Sequence, residues 1–214
     1  VKQKPPGDRT AAAGSRVADA ARRRRRIFLA ISGEVCYPKK SCRRIPEKEK
    51  MKENIVLIGM PGVGKSTIGV VLAKMMGYRF IDTDLIIQEQ EGKLLCEIIK
   101  EQGTEGFLAV ENRVNSSIWA RHAVIATGGS VVYGAEAMRH LKEIGTVVYL
   151  KLPFAELSQR LSDIKGRGVV LKKGQTLLTL YEERVPLYER YADFTVDEHC
   201  LNVEQTIEKI MELF

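Results

Sequence analysis

One nine-residue stretch constrains this chain more than anything else in it. Gly59-Met60-Pro61-Gly62-Val63-Gly64-Lys65-Ser66-Thr67 satisfies G-x-x-x-x-G-K-S without a mismatch. Its flanks fit as well. Ile55-Val56-Leu57-Ile58 before it is a short continuous apolar run, as in a strand buried on both faces of a parallel sheet. After it Ile68, Val71, Leu72 and Met75 recur at helical spacing, and Gly77 ends the pattern. A strand, a glycine loop and a helix in that order point to an α/β domain that binds a nucleoside triphosphate. Glycines let backbone N–H groups turn inward around an anion, and the following helix aims its positive end at it. Gly62, Val63, Gly64, Lys65, Ser66 and Thr67 are therefore expected to hold the phosphates of ATP. Lys65 is expected to reach the β- and γ-phosphates, and the Ser66 hydroxyl to ligate Mg²⁺.

Further strands follow. Tyr78-Arg79-Phe80-Ile81, Ala123-Val124-Ile125-Ala126, Val147-Val148-Tyr149-Leu150 and Phe194-Thr195-Val196 read as four more, with helical patterns between them. That predicts five parallel strands with helices on both faces. Val203 to Leu213 reads as a C-terminal amphipathic helix, with Val203, Ile207, Ile210 and Met211 on one stripe. Asp82 and Asp84 close the second strand two residues apart. In an open parallel sheet ligands bind at the carboxyl ends of strands, so the pair is expected near the phosphate loop. The structural alternative is a turn in which Asp84 caps the next helix. Trp119 and Arg121 read as packing and surface residues, and His122, His140 and His199 as surface or structural ones.

Charge divides the chain. Residues 1–50 hold 15 Lys/Arg against 5 Asp/Glu, and residues 51–214 hold 19 against 22, so the formal net charge of +7 is carried by the first segment. That segment includes Arg22 to Arg26 and four of the seven prolines, with no sustained periodicity, and is expected to be disordered. Three explanations compete for it: an arm that binds phosphates or membranes, a targeting peptide, and sequence upstream of the true start. Met51, four residues before the first strand, favours the last. Residues 51–214 are mildly acidic and carry no nucleic-acid signature of their own. No apolar run approaches the roughly 18–20 residues of a membrane-spanning helix. Cys36, Cys42, Cys96 and Cys200 are scattered without a C-x-x-C pair, which argues against a zinc site and fits a reduced, cytoplasmic chain.

Residues 54–214 resemble the shikimate kinases, small P-loop kinases of the nucleoside-monophosphate-kinase type. The resemblance rests on residues 59–67, Phe80-Ile81-Asp82-Thr83-Asp84, Glu105-Gly106-Phe107 with Glu111, Ala126-Thr127-Gly128-Gly129, and Arg184-Val185-Pro186-Leu187-Tyr188 with Ala192-Asp193. It implies transfer of the ATP γ-phosphoryl group to a hydroxyl of a small metabolite, with Mg²⁺ as cofactor and a monomeric enzyme. It implies that Asp84 orients that hydroxyl or accepts its proton, and that Asp82 stands by the magnesium. Gly128 and Gly129 would let backbone approach the substrate, and Arg184 would bind its carboxylate. Arg160 falls at the family's adenine-side arginine, and Arg167 at the arginine of a mobile lid spanning about 163–174. Lys65, Asp84 and Arg167 would then be the catalytic set.

Three positions depart from the family pattern. Leu108 stands where the family has an arginine, half of its carboxylate clamp. Losing one charged hydrogen bond costs about 1.5–3 kcal/mol, or about 10–150-fold. Arg113 is a poor substitute, because five residues turn a helix about 500° and aim it elsewhere. Ser130 replaces the third glycine of a turn, and Gly168-Val169-Val170 replaces the proline and leucines that usually follow the lid arginine. The expected functions are therefore a shikimate kinase with rearranged carboxylate binding, a related kinase for another small hydroxylated acceptor, or an ATP-binding module without transfer activity.

Overall fold

The computed structural model describes residues 52–162 and 174–214. The basic segment 1–50, Met51, and all of the expected lid but Gly174, Arg167 included, lie outside them.

Five parallel strands form one sheet: β1 (Asn54–Ile58), β2 (Arg79–Asp82), β3 (Ala123–Ala126), β4 (Gly145–Lys151) and β5 (Phe194–Asp197). Their order across the sheet is β2-β3-β1-β4-β5. Every residue of the two central strands β1 and β3 is buried, whereas edge strand β2 has none buried and edge strand β5 only Val196. This is why the central strands read as unbroken apolar runs. Among the described residues seven α-helices connect and flank them: α1 (Lys65–Met76), α2 (Thr83–Glu91), α3 (Leu95–Ser117), α4 (Ala135–Ile144), α5 (Phe154–Ser162), α6 (Leu177–Tyr191) and α7 (Val203–Met211). Gly103, at φ 72°, interrupts α3. The chain leaves β1 toward one edge and later moves from β3 toward the other, so right-handed crossovers send the helices to opposite faces. The packing agrees: α1 lies against α7, and α3 against α4.

Small differences from the sequence reading have local causes. Tyr78 is not in β2, because its N–H closes the end of α1 on the Ala73 carbonyl at 2.8 Å, with Gly77 left-handed at φ 69° between them. On α7, Ile207 and Ile210 are buried, while Val203 and Met211 at the stripe's edges are largely exposed. Trp119 packs on little; it is 78% exposed.

One buried polar side chain pins the sheet. Asn54 donates to the carbonyls of Ala120 (2.9 Å) and Ile144 (2.7 Å) and accepts from Ala123 N–H (3.0 Å). It thereby fixes the starts of β3 and β4 against β1. Among the described residues no helix is long and apolar enough to cross a membrane.

Candidate active site

Strands β1 and β3 are neighbours whose outgoing connections run to opposite edges of the sheet. A crevice opens where that happens, at the carboxyl ends of the strands. The two loops that flank it are 59–64, after β1, and 127–130, after β3. The second is fastened to the first strand by the Thr127 hydroxyl and N–H, both on the Leu57 carbonyl (2.9 and 3.2 Å). A cavity of about 520 Å³ fills the crevice.

The phosphate loop shapes one end of the cavity. Gly64, at φ 117°, is left-handed and ends the loop where α1 begins, a conformation that glycine adopts without strain. Lys65 is buried, and its ammonium donates to the Gly59 and Met60 carbonyls (2.8 and 2.9 Å). Burial, reinforced by nearby Arg184, pushes its pKa down to about 8, against the opposite pull of Asp84. The Ser66 hydroxyl donates to Asp82 Oδ2 at 2.7 Å. Asp82 Oδ1 accepts from the Asp84 N–H at 3.0 Å, so Asp82, not Asp84, caps α2. Asp84 sits in the first turn of that helix and lines the cavity. A hydroxyl and a carboxylate side by side are hard oxygen donors of the kind Mg²⁺ takes.

The other end is assembled from distant parts of the chain. Gly128, Gly129 and Ser130 line it from the loop after β3, Leu95, Ile99, Phe107 and Glu111 from α3, and Arg184 from α6. Arg184 is only 2% exposed; its Nε donates to the Tyr133 hydroxyl at 3.3 Å, and its guanidinium lies over that ring. One turn further along α6, Tyr188 donates to the Gly129 carbonyl at 2.5 Å. Gly128 has no room for a side chain: a Cβ there would stand 2.2 Å from Glu111 Oε1 and 2.9 Å from Asp84 Oδ1. Two carboxyl groups thus converge on one point of backbone.

Glu111 belongs to the cavity wall, a role the sequence reading did not give it. It is 1% exposed, and its Oε1 has no hydrogen-bond partner. Burial first, then Asp84, raise its pKa to about 7, while a hydrogen bond from Ser130 and the charges of Arg184 and Lys65 pull the other way. Ser130 therefore offers the new hydrogen bond its position allowed, but to Glu111. Its side chain is buried and lines the cavity.

Other expected site residues fall elsewhere. Leu108 is half-buried and does not line the cavity, and Arg113 turns outward to Glu91 at 2.5 Å. Arg160 donates to the Val63 carbonyl at 3.0 Å and stands 3.5 Å from buried Glu198, beside the phosphate loop and outside the cavity wall. Ser66 and Thr67 are exposed at the cavity mouth. His140 bonds the Ile118 carbonyl, and His199 bridges Glu156 and Cys200.

The shikimate kinase family profile matches residues 61–214. A shikimate kinase from Persephonella marina is 33% identical over 159 residues, which are 74% of this chain and 96% of that protein. Among solved structures, a shikimate kinase from Acinetobacter baumannii in complex with shikimate superposes with a TM-score of 0.68 at 32% identity, covering 75% of this chain and 92% of that one. A shikimate kinase from Aquifex aeolicus gives 0.62 at 30% identity, covering 74% and 94%.

Proposed function

The chain belongs to the shikimate kinase family, and we propose that its own acceptor is shikimate, converted to shikimate 3-phosphate with ATP as donor. The observation that carries this reading is a single cavity that joins a complete phosphate loop to Asp84 and to a buried guanidinium, Arg184. A planar guanidinium suits a carboxylate, and Tyr133 holds it in place.

Phosphoryl transfer asks a protein mainly for positioning and charge. The acceptor hydroxyl oxygen forms a bond to the γ-phosphorus as the bond to ADP breaks. Asp84 orients that hydroxyl and takes its proton. Lys65 exchanges its loop carbonyls for phosphate oxygens, and the N–H groups of 62–67 hold the rest. Ser66 and Asp82 would hold Mg²⁺, which would neutralise phosphate charge. Arg167 and Arg160 act on the nucleotide side by the family pattern. The cytoplasmic, monomeric state of the family's small kinases belongs to the same reading.

A second reading rests on Leu108. Among the described residues Arg184 is the one guanidinium lining the cavity, which favours an acceptor that needs less carboxylate binding, another small hydroxylated metabolite. Phosphorus NMR of the full chain with Mg-ATP and shikimate separates the two. A new phosphomonoester signal that requires shikimate supports the first reading. Its absence, with a new signal from another hydroxy compound, supports the second.

A further inference from the structure

The acceptor end of the cavity holds one group that the mechanism above does not use. Glu111 is almost wholly buried, yet one of its carboxyl oxygens has no partner and its side chain forms part of the cavity wall. Buried polar atoms are nearly always satisfied. An orphan oxygen in the wall of a binding cavity therefore points to a ligand.

Resting on the reading that this cavity takes a hydroxy acid, we propose that Glu111 is a specificity-determining residue. As a neutral acid it donates a hydrogen bond to the acceptor's carboxylate beside Arg184; as a carboxylate it repels that same anion.

The surroundings support both halves of this statement. From α2, Asp84 faces Glu111 and disfavours a second negative charge. From α1 and α6, Lys65 and Arg184 favour that charge, and the Ser130 hydroxyl after β3 bonds it. From α4, Glu136 and His140 are engaged elsewhere, on Asn112 and on the Ile118 carbonyl. The Tyr133 hydroxyl is taken by Arg184 and Glu183. The balance sets the group near pH 7, where both forms are populated. With Glu111 ionised, Asp84 and Glu111 already offset Arg184 and Lys65, and an anionic acceptor adds an unmatched negative charge. With Glu111 neutral, Arg184 and Lys65 exceed Asp84 by one charge, which the acceptor's carboxylate matches, and the acid proton is free to point at the ligand. Leu108, one turn earlier on the same helix, supplies no cation to relieve Glu111.

The test uses the full chain. KM for shikimate is measured from about pH 6 to about pH 9, in the wild type and in Glu111→Gln, whose amide keeps a donor but cannot ionise. Wild-type KM is expected to rise above about 7, approaching about tenfold per pH unit, with kcat changing much less. Glu111→Gln is expected to flatten the rise between about 7 and 8, and Glu111→Ala to raise KM at every pH. A flat wild-type profile, or the same rise in Glu111→Gln, overturns the proposal. A second readout needs no turnover: the protonated-carboxyl infrared intensity that the wild type has and Glu111→Gln lacks, expected below about 7 and fading above it, over the remaining band of Glu198, which burial also raises to about 7. If Glu111→Gln removes no protonated-carboxyl intensity below about 7, the proposal falls. If shikimate is not turned over at any pH while the band titrates as expected, the function proposed above falls and the neutral Glu111 acid stands.

Discussion

The two ends of the cavity are built differently. At the nucleotide end the polar side chains are already paired: Lys65 on two loop carbonyls, Ser66 on Asp82, Asp82 on the Asp84 N–H. All of it comes from residues 59–84, one contiguous stretch. At the acceptor end the groups come from α3, α6 and the loop after β3, and one carboxyl oxygen is left over. Of the two departures from the family pattern that fall among the described residues, Ser130 lines this end, and Leu108 lies outside the cavity wall, one turn before Glu111 on α3. A motif that serves an invariant ligand is local and pre-satisfied. A pocket that selects a variable one is assembled by the fold and keeps its unsatisfied group for the ligand.

Substitutions at the border of the two ends should separate them most sharply. Asp84→Ala should lower kcat by about 10²–10⁴-fold, the usual worth of a positioned proton acceptor. Mg-ATP affinity by calorimetry should hardly change; retention of more than about a tenth of the wild-type rate would remove Asp84 from the role given to it. Asn54→Ala should instead blur the comparison. Each orphaned buried backbone group costs about 1–3 kcal/mol, and Asn54 serves three. The expected result is a clear drop in Tm, with both substrates bound less well in step. A loss confined to one substrate would argue against this pinning role.

Leu108→Arg should repair the acceptor end alone. Positions 108 and 111 lie three apart on one helix, so an arginine would reach Glu111 and the cavity wall. KM for shikimate is expected to fall by about 10–150-fold, and its dependence on pH near 7 to weaken. No tightening would mean that the pocket has been rebuilt around a different acceptor. The smallest effect belongs to the nucleotide end. The Lys65 ammonium attracts phosphate and the neutral amine does not, so Mg-ATP affinity should hold below about 8 and weaken above it, by at most about tenfold per pH unit. Affinity unchanged well above pH 8 would show that Lys65 stays charged in the free protein too, despite its burial.

The same contrast governs what could be read without coordinates. The phosphate loop, its strand and its helix are encoded by neighbouring residues, and β1 and β3 announce themselves because both of their faces are buried. Edge strand β2 shifted by one residue, since nothing in Tyr78 tells that its N–H is taken by the end of α1. That Asp82 rather than Asp84 caps α2 depends on which side chain turns back, which spacing does not fix. Glu111 was legible only as part of a family segment. A glutamate in a mixed helix reads as a surface residue, and nothing local tells that the fold buries it beside Gly128, a glycine from the loop after β3. Arg184 was legible by resemblance, while the Tyr133 that holds it was not, because the two meet only through the packing of α6 on the loop after β3.

The central claim is that this cavity moves a phosphoryl group from ATP to shikimate. It is tested most directly by ADP release from the full chain with Mg-ATP, measured with and without shikimate. The account expects release that depends on shikimate and saturates with it. Tight Mg-ATP binding with no release above the shikimate-free background would contradict it.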